Sequence, residues 1–240
     1  MTGGLRVLWL YPTHMSTYGD AGNVQAVRRR LADLGVEGTV DRLEVGDRAP
    51  RDVDLVLGGG GQDSGQERVH ADLLAHGGWL AELAADGVPM LLVCGMYQLF
   101  GHRVSTASGA ELDGLGVLDV VTAAGRGRLV GNVRARSPEL GTLVGYENHS
   151  GRTVLGPRAR PLARVSRGRG NNGRDRTEGA RWQHVVGTYL HGPVLPLNPA
   201  LLDLMVTTAV SRRFGPDAIA GHAPPPDAAE ARAAALRRPR

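Results

Sequence analysis

Apolar positions along the chain change period in a regular order. Leu5–Tyr11 is an almost continuous apolar run with the length of a buried strand. After Asp20-Ala-Gly-Asn23, the apolar residues Val24, Val27, Leu31 and Leu34 recur at spacings of three and four. This predicts an amphipathic helix closed by Gly35, with Arg28–Arg30 as a solvated stripe on its other face. Val36–Leu43 and Val53–Leu57 predict a second and a third strand, the latter running into Gly58-Gly-Gly-Gly-Gln-Asp63. Helical spacing resumes from Ser64 to Ala75, breaks at Gly77-Gly78 and continues to Asp86. Met90–Val93 then predicts a fourth strand ending at Cys94. Alternation of this kind predicts an α/β fold with a mostly parallel sheet flanked by helices, whose ligands sit at the carboxyl ends of the strands.

The second half is β-rich. Short segments at Gly116–Thr122, Leu129–Arg136, Val144–Glu147, Leu162–Val165 and His184–Leu190 are separated by Gly, Pro and Asn turns. The Gly- and Arg-rich stretch from Arg167 to Gly179 predicts a mobile loop, and Pro199–Arg213 a closing helix. From Pro224 the chain is rich in Pro, Ala and Arg and reads as a poorly packed tail. We expect one domain over residues 5–215 and a C-terminal extension over residues 216–240.

Composition narrows the chemistry. The chain has 240 residues, 42% of them hydrophobic, which is enough to build a core. All 28 basic residues are arginine. Without lysine there is no P-loop lysine, no Schiff-base lysine and no lysine general base. The one cysteine, Cys94, excludes an internal disulfide and a Cys-x-x-Cys metal knuckle, and no metal site is expected. The net charge of +4 is small, and the arginines are spread along the chain without interleaved aromatics. Nucleic acid is therefore not an expected partner. The first apolar run is too short to span a bilayer and lacks a cleavage site, so we expect a cytoplasmic protein with no membrane insertion.

Cys94 falls at a strand-to-helix junction, Val93-Cys-Gly-Met-Tyr-Gln98, where a nucleophile is presented above a sheet. A helix start favours thiolate over thiol, and Gly95 leaves an N–H free to face an oxyanion. A thiolate needs a base. Of eight histidines, His191 follows the strand-like Val185-Val-Gly-Thr-Tyr-Leu190, and His149 lies in Gly145-Tyr-Glu-Asn-His-Ser-Gly151. His191, at what reads as a strand's carboxyl end, leads and His149 is the runner-up, and spacing alone leaves each near even odds against a structural or surface role.

Five ordered stretches now combine: Tyr18-Gly-Asp-Ala-Gly-Asn23, Gly58–Asp63, Val93–Gln98, Gly145–Arg152 and Gly187-Thr-Tyr-Leu-His-Gly-Pro193. Together they resemble the class I glutamine amidotransferases, in the branch shared with cobyric acid synthase. Within it, the fourth and fifth stretches are most similar to the glutaminase subunits of lipid II isoglutaminyl synthase. The resemblance spans roughly residues 5 to 215. It implies the fold of that class and the hydrolysis of glutamine. Cys94 would attack the side-chain amide and His191 would carry the proton. The backbone N–H groups of Gly60 and Gly95 would hold the oxyanion, and Arg128 would bind the substrate glutamine. It implies no cofactor in this chain. ATP and Mg²⁺ are expected on a partner, a MurT-like, Mur-ligase-like subunit that amidates D-glutamate of a lipid-linked peptidoglycan precursor. A glutaminase of cobyric-acid type and a non-catalytic scaffold on the same fold are the alternatives.

Three departures from the family pattern matter. Leu92 and Met96 stand where glycines are common around the elbow, and Pro193 stands where a His-x-Glu acid is usual. A base needs a third group to orient it. We expect the partner to supply that acid, with Glu147 and Asp20 as candidates within the chain.

Overall fold

The computed structural model describes residues 3–219 together with residues 233, 236 and 237. The chain runs β1 (Leu5–Leu10), α1 (Ala21–Asp33), β2 (Gly38–Leu43), β3 (Leu55–Gly58), α2 (Asp63–Ala75), α3 (Gly77–Ala85), β4 (Met90–Val93) and α4 (Gly95–Leu99). It continues through β5 (Arg103–Ser105), β6 (Glu111–Asp113), β7 (Val120–Ser137), β8 (Gly141–Leu155), β9 (Ala163–Arg167), β10 (Thr177–Glu178), β11 (Ala180–Trp182), β12 (Val185–Thr188), α5 (Val194–Leu197) and α6 (Pro199–Phe214).

Two sheets result. The first has the order β11-β12-β4-β3-β1-β2 and is parallel apart from the edge pair β11–β12. Its central strand β4 is buried at all four positions, which is why it reads as a solid apolar run without alternation. Helix α1 turns Val24, Val27 and Leu31 inward, as its spacing required, and α6 packs on β1, β3 and α1. The second sheet has the order β10-β9-β7-β5-β6, with β8 paired to β7, and is antiparallel except at β5–β7.

The second sheet departs from expectation in instructive ways. The segments Gly116–Thr122 and Leu129–Arg136 contribute to one long strand, β7. The glycines between them do not end it, because a register shift between Ala124 and Leu129 absorbs them as an irregularity in the pairing with β8. Strands β5 and β6, at three residues each, are too short to show a period.

The stretch from Arg167 to Gly179 is also not a loose loop. The Glu147 carboxylate accepts the N–H groups of Arg169 (2.8 Å) and Gly170 (2.7 Å). The side chain of Asn171, fully buried, donates to Thr177 Oγ1 and Gly179 O and accepts the Gly179 N–H. Buried polar groups satisfied this fully hold a segment in place without apolar packing.

Pro216–Ile219 form a 3₁₀ turn after α6. The remainder of the expected extension, apart from residues 233, 236 and 237, lies outside the described residues. Among the described residues no helix is long and apolar enough to cross a membrane.

Candidate active site

Four carboxyl ends of the first sheet converge. The segment after β1 carries Tyr18 and Asp20, the segment after β3 carries Gly58–Gly61, Cys94 follows β4, and His191 follows β12. The β7–β8 hairpin brings Arg128, His149 and Ser150 to the opposite wall. Between them lies a cavity of about 650 Å³ bordered by Tyr18, Gln66, Cys94, Gln98, Arg128 and His149 among others.

Cys94 adopts φ +51° and ψ −107°, a conformation costly for a residue with a Cβ. Backbone strain of this kind is what an elbow presenting a nucleophile between strand and helix requires. Leu92 and Met96 fit beside it because β3 yields the room. Gly58 is the register partner of Leu92, and a Cβ there would collide with Met96 Cγ and stand 3.2 Å from Leu92 Cδ2. The two side chains that depart from the family pattern are thus matched by a glycine on the neighbouring strand.

The thiol itself differs from expectation. Burial, with the nearby Asp20 carboxylate adding to it, pushes the Cys94 thiol up to about 12. Arg128 and the Gly95 N–H pull the other way without winning. Helix α4 is only five residues long, so its start offers little to set against desolvation. The resting group is a thiol, which makes the base more important.

His191 lies beside Cys94. A Cβ built on Gly60 would stand 3.0 Å from His191 Cε1, 3.3 Å from Cys94 Cβ and 3.6 Å from Asp20 Oδ2. The three side chains therefore crowd around one glycine. Backbone bonds between His191 and Tyr146 in both directions tie this histidine to β8, and the Tyr18 ring lies over the imidazole with centroids 4.6 Å apart. Both ring nitrogens of His191 are buried without a hydrogen-bond partner. Burial lowers its pKa to about 4, with Arg128 assisting, so the ring is neutral at ordinary pH.

No acid within the described chain bonds His191. Glu147 is committed to Arg169 and Gly170. Asp20 accepts the Gly60 N–H at 2.7 Å. Pro193, where an acid would stand, is sealed against α1: a Cβ on Gly22 would collide with Pro193 Cγ, and Asn23 Oδ1 accepts the Leu195 N–H at 2.9 Å. The Tyr18–Asn23 motif thereby docks the start of α1 against the segment that follows His191.

Of the two glycines expected to face an oxyanion, Gly95 directs its N–H at the sulfur, whereas the Gly60 N–H is already held by Asp20. Arg128 borders the cavity, with Nε and Nη2 each bonded to Asn148 at 2.7 Å, so its guanidinium has a fixed orientation.

This architecture coincides with that of known proteins. The CobB/CobQ-like glutamine amidotransferase domain matches residues 6–199. The chain belongs to this family. The amidotransferase is 37% identical over 202 residues to the lipid II isoglutaminyl synthase (glutamine-hydrolyzing) subunit GatD of Staphylococcus aureus, covering 83% of this chain and 82% of the relative. It is 35% identical over 216 residues to the subunit of the same name from Streptococcus pneumoniae, covering 89% and 83%. In fold it is similar to a glutamine amidotransferase from Thermotoga maritima, with a TM-score of 0.55 at 15% identity over 90% of this chain and 95% of the other.

Beneath the elbow of this amidotransferase runs a polar chain of which the sequence motifs contain only Gln98 and Tyr189. Gln66 Nε2 donates to Gly95 O (3.1 Å) and Gln98 Oε1 (2.8 Å). Gln98 Nε2 donates to the Tyr189 hydroxyl (2.9 Å), which meets Thr153 Oγ1 at 2.6 Å. Each group is uninformative alone, and only the fold brings residues 66, 98, 153 and 189 together.

Proposed function

We propose that this chain is the glutamine-hydrolysing subunit of a two-component amide ligase of the lipid II isoglutaminyl synthase kind, with Cys94 as nucleophile and His191 as its base. The observation that carries this reading is the neutral, unpartnered His191 beside Cys94, around Gly60.

Glutamine enters with its carboxylate on Arg128, whose rigid fork suits two oxygens at once. His191 takes the thiol proton as the Cys94 sulfur attacks the amide carbon. The Gly95 N–H faces the developing oxyanion, and the Gly60 N–H joins it once released by Asp20. The C–N bond then breaks, His191 returns the proton to the departing amine, and ammonia leaves. Water attacks the thioester, glutamate leaves, and the thiol is restored.

Free ammonia is largely ammonium at neutral pH and cannot attack, so its release beside an activated acceptor keeps it nucleophilic. The acceptor, with ATP and Mg²⁺, belongs to a Mur-ligase-like partner. The same partner supplies an acid to one vacant nitrogen of His191, since Pro193 stands at the usual acid position and no acid among the described residues bonds the ring. The cell compartment consistent with such a precursor is the cytoplasm.

The direct test is Cys94→Ala assayed for ammonia from glutamine, with the partner present. Loss of turnover supports the reading, and retained turnover removes Cys94 from the mechanism.

A further inference from the structure

We propose that His149 is the group that recognises the α-ammonium of the substrate, accepting its hydrogen bond at Nε2. This rests on the glutaminase reading and deepens it by naming a specificity-determining residue in the same cavity.

His149 stands on β8, one residue beyond the Asn148 that holds Arg128. Its Nδ1 lies 2.9 Å from the Gly151 carbonyl. A carbonyl only accepts, so Nδ1 carries the proton and Nε2 presents a lone pair. The ring is fixed in its plane by stacking on Tyr189, 3.6 Å between centroids and 8° from parallel. Tyr189 is in turn held by its bonds to Thr153 and Gln98.

The imidazole borders the cavity that also exposes Cys94 and Arg128. Among the described residues that border this cavity, His149 is the only one with a buried side-chain nitrogen or oxygen lacking a hydrogen-bond partner. Buried acceptors left empty are rare and costly, and a ligand is one way to fill them. Two further acceptors on its wall are already engaged: Asp63 Oδ2 takes the Ala107 N–H and Gln98 Oε1 takes Gln66.

Free glutamine presents three polar groups. Its amide must reach Cys94 and its carboxylate suits Arg128. The α-ammonium remains, and it can only donate. A neutral imidazole accepts from it, whereas a protonated one would repel it. Burial, the largest influence, together with Arg152, His191 and Arg128 holds the His149 pKa down to about 3, so the accepting form persists across ordinary pH.

The test compares kcat/KM for glutamine with that for 4-carbamoylbutanoate, which is glutamine without its amino group. The full chain is assayed with its ligase partner. The parent is expected to favour glutamine by roughly ten- to a hundredfold, the range of a charge-assisted hydrogen bond. In His149→Phe, which keeps a ring against Tyr189, that ratio falls toward one, with the loss lying mainly in KM for glutamine. An unchanged ratio with both substrates slowed equally would overturn the proposal and make His149 structural or a base. Absence of preference in the parent overturns it without any variant. Failure of the parent complex to hydrolyse either compound would instead strike the glutaminase reading itself.

Discussion

The carboxylate of Asp20, at the start of α1, accepts the backbone N–H of Gly60 at 2.7 Å across 40 residues of sequence. Burial raises its pKa from 3.8 to about 6 despite that bond. A folded-state pKa above the unfolded one means that the protonated form is favoured by folding. The associated stability is fully present below about pH 4 and is lost as pH rises through about 6. Asp20→Asn keeps an acceptor for Gly60 without a charge. It is expected to be more stable than the parent at pH 8 by about 2 kcal/mol, with the difference vanishing near pH 4. Urea unfolding at the two pH values measures this, and a parent more stable than Asp20→Asn at pH 8 would contradict it.

Cys94 is buried with its thiol pushed up to about 12. Alkylation by iodoacetamide requires thiolate. Its rate in the free chain is expected to climb throughout pH 6–10 with no plateau. A plateau below pH 8 would mean that the thiolate is already stabilised at rest.

Gly22 lies in the first turn of α1, where glycine ordinarily costs stability relative to alanine. Here a Cβ would collide with Pro193 two residues beyond His191. The usual sign therefore reverses. Gly22→Ala is expected to lower stability by about 1–3 kcal/mol and to slow turnover as the base shifts. Thermal unfolding and ammonia release measure the two effects.

Arg128 is exposed at the mouth of the cavity, and its removal leaves little buried structure to collapse. Arg128→Ala is expected to raise KM for glutamine by roughly tenfold or more, with a smaller change in kcat. A large fall in kcat at unchanged KM would move Arg128 from binding to chemistry.

The first sheet was legible because β1, β4 and α1 carry strong periods of their own, and Cys94 and His191 follow directly from strand ends. What stayed hidden depended on long-range contacts. The thiol was read as activated because local helix geometry is visible in sequence and burial by distant segments is not. Glu147 read as a candidate acid, yet its oxygens serve residues 169 and 170, which read as a mobile loop. The glycines that split β7 by pattern are absorbed by a register shift that only the pairing with β8 defines. His149 stood second to His191 as a candidate base. Its stacking on Tyr189 and its bond to Gly151 give it a separate task.

His191 is neutral, buried and without a partner at either nitrogen, and the position that would orient it is occupied by Pro193. The rate of ammonia release from glutamine, measured for the chain alone and again with the proposed Mur-ligase-like partner, tests this most directly. A triad completed in trans requires a rise of at least a hundredfold on adding the partner, lost when the partner's acid is replaced by its amide. Equal rates with and without the partner would show that the chain orients His191 unaided.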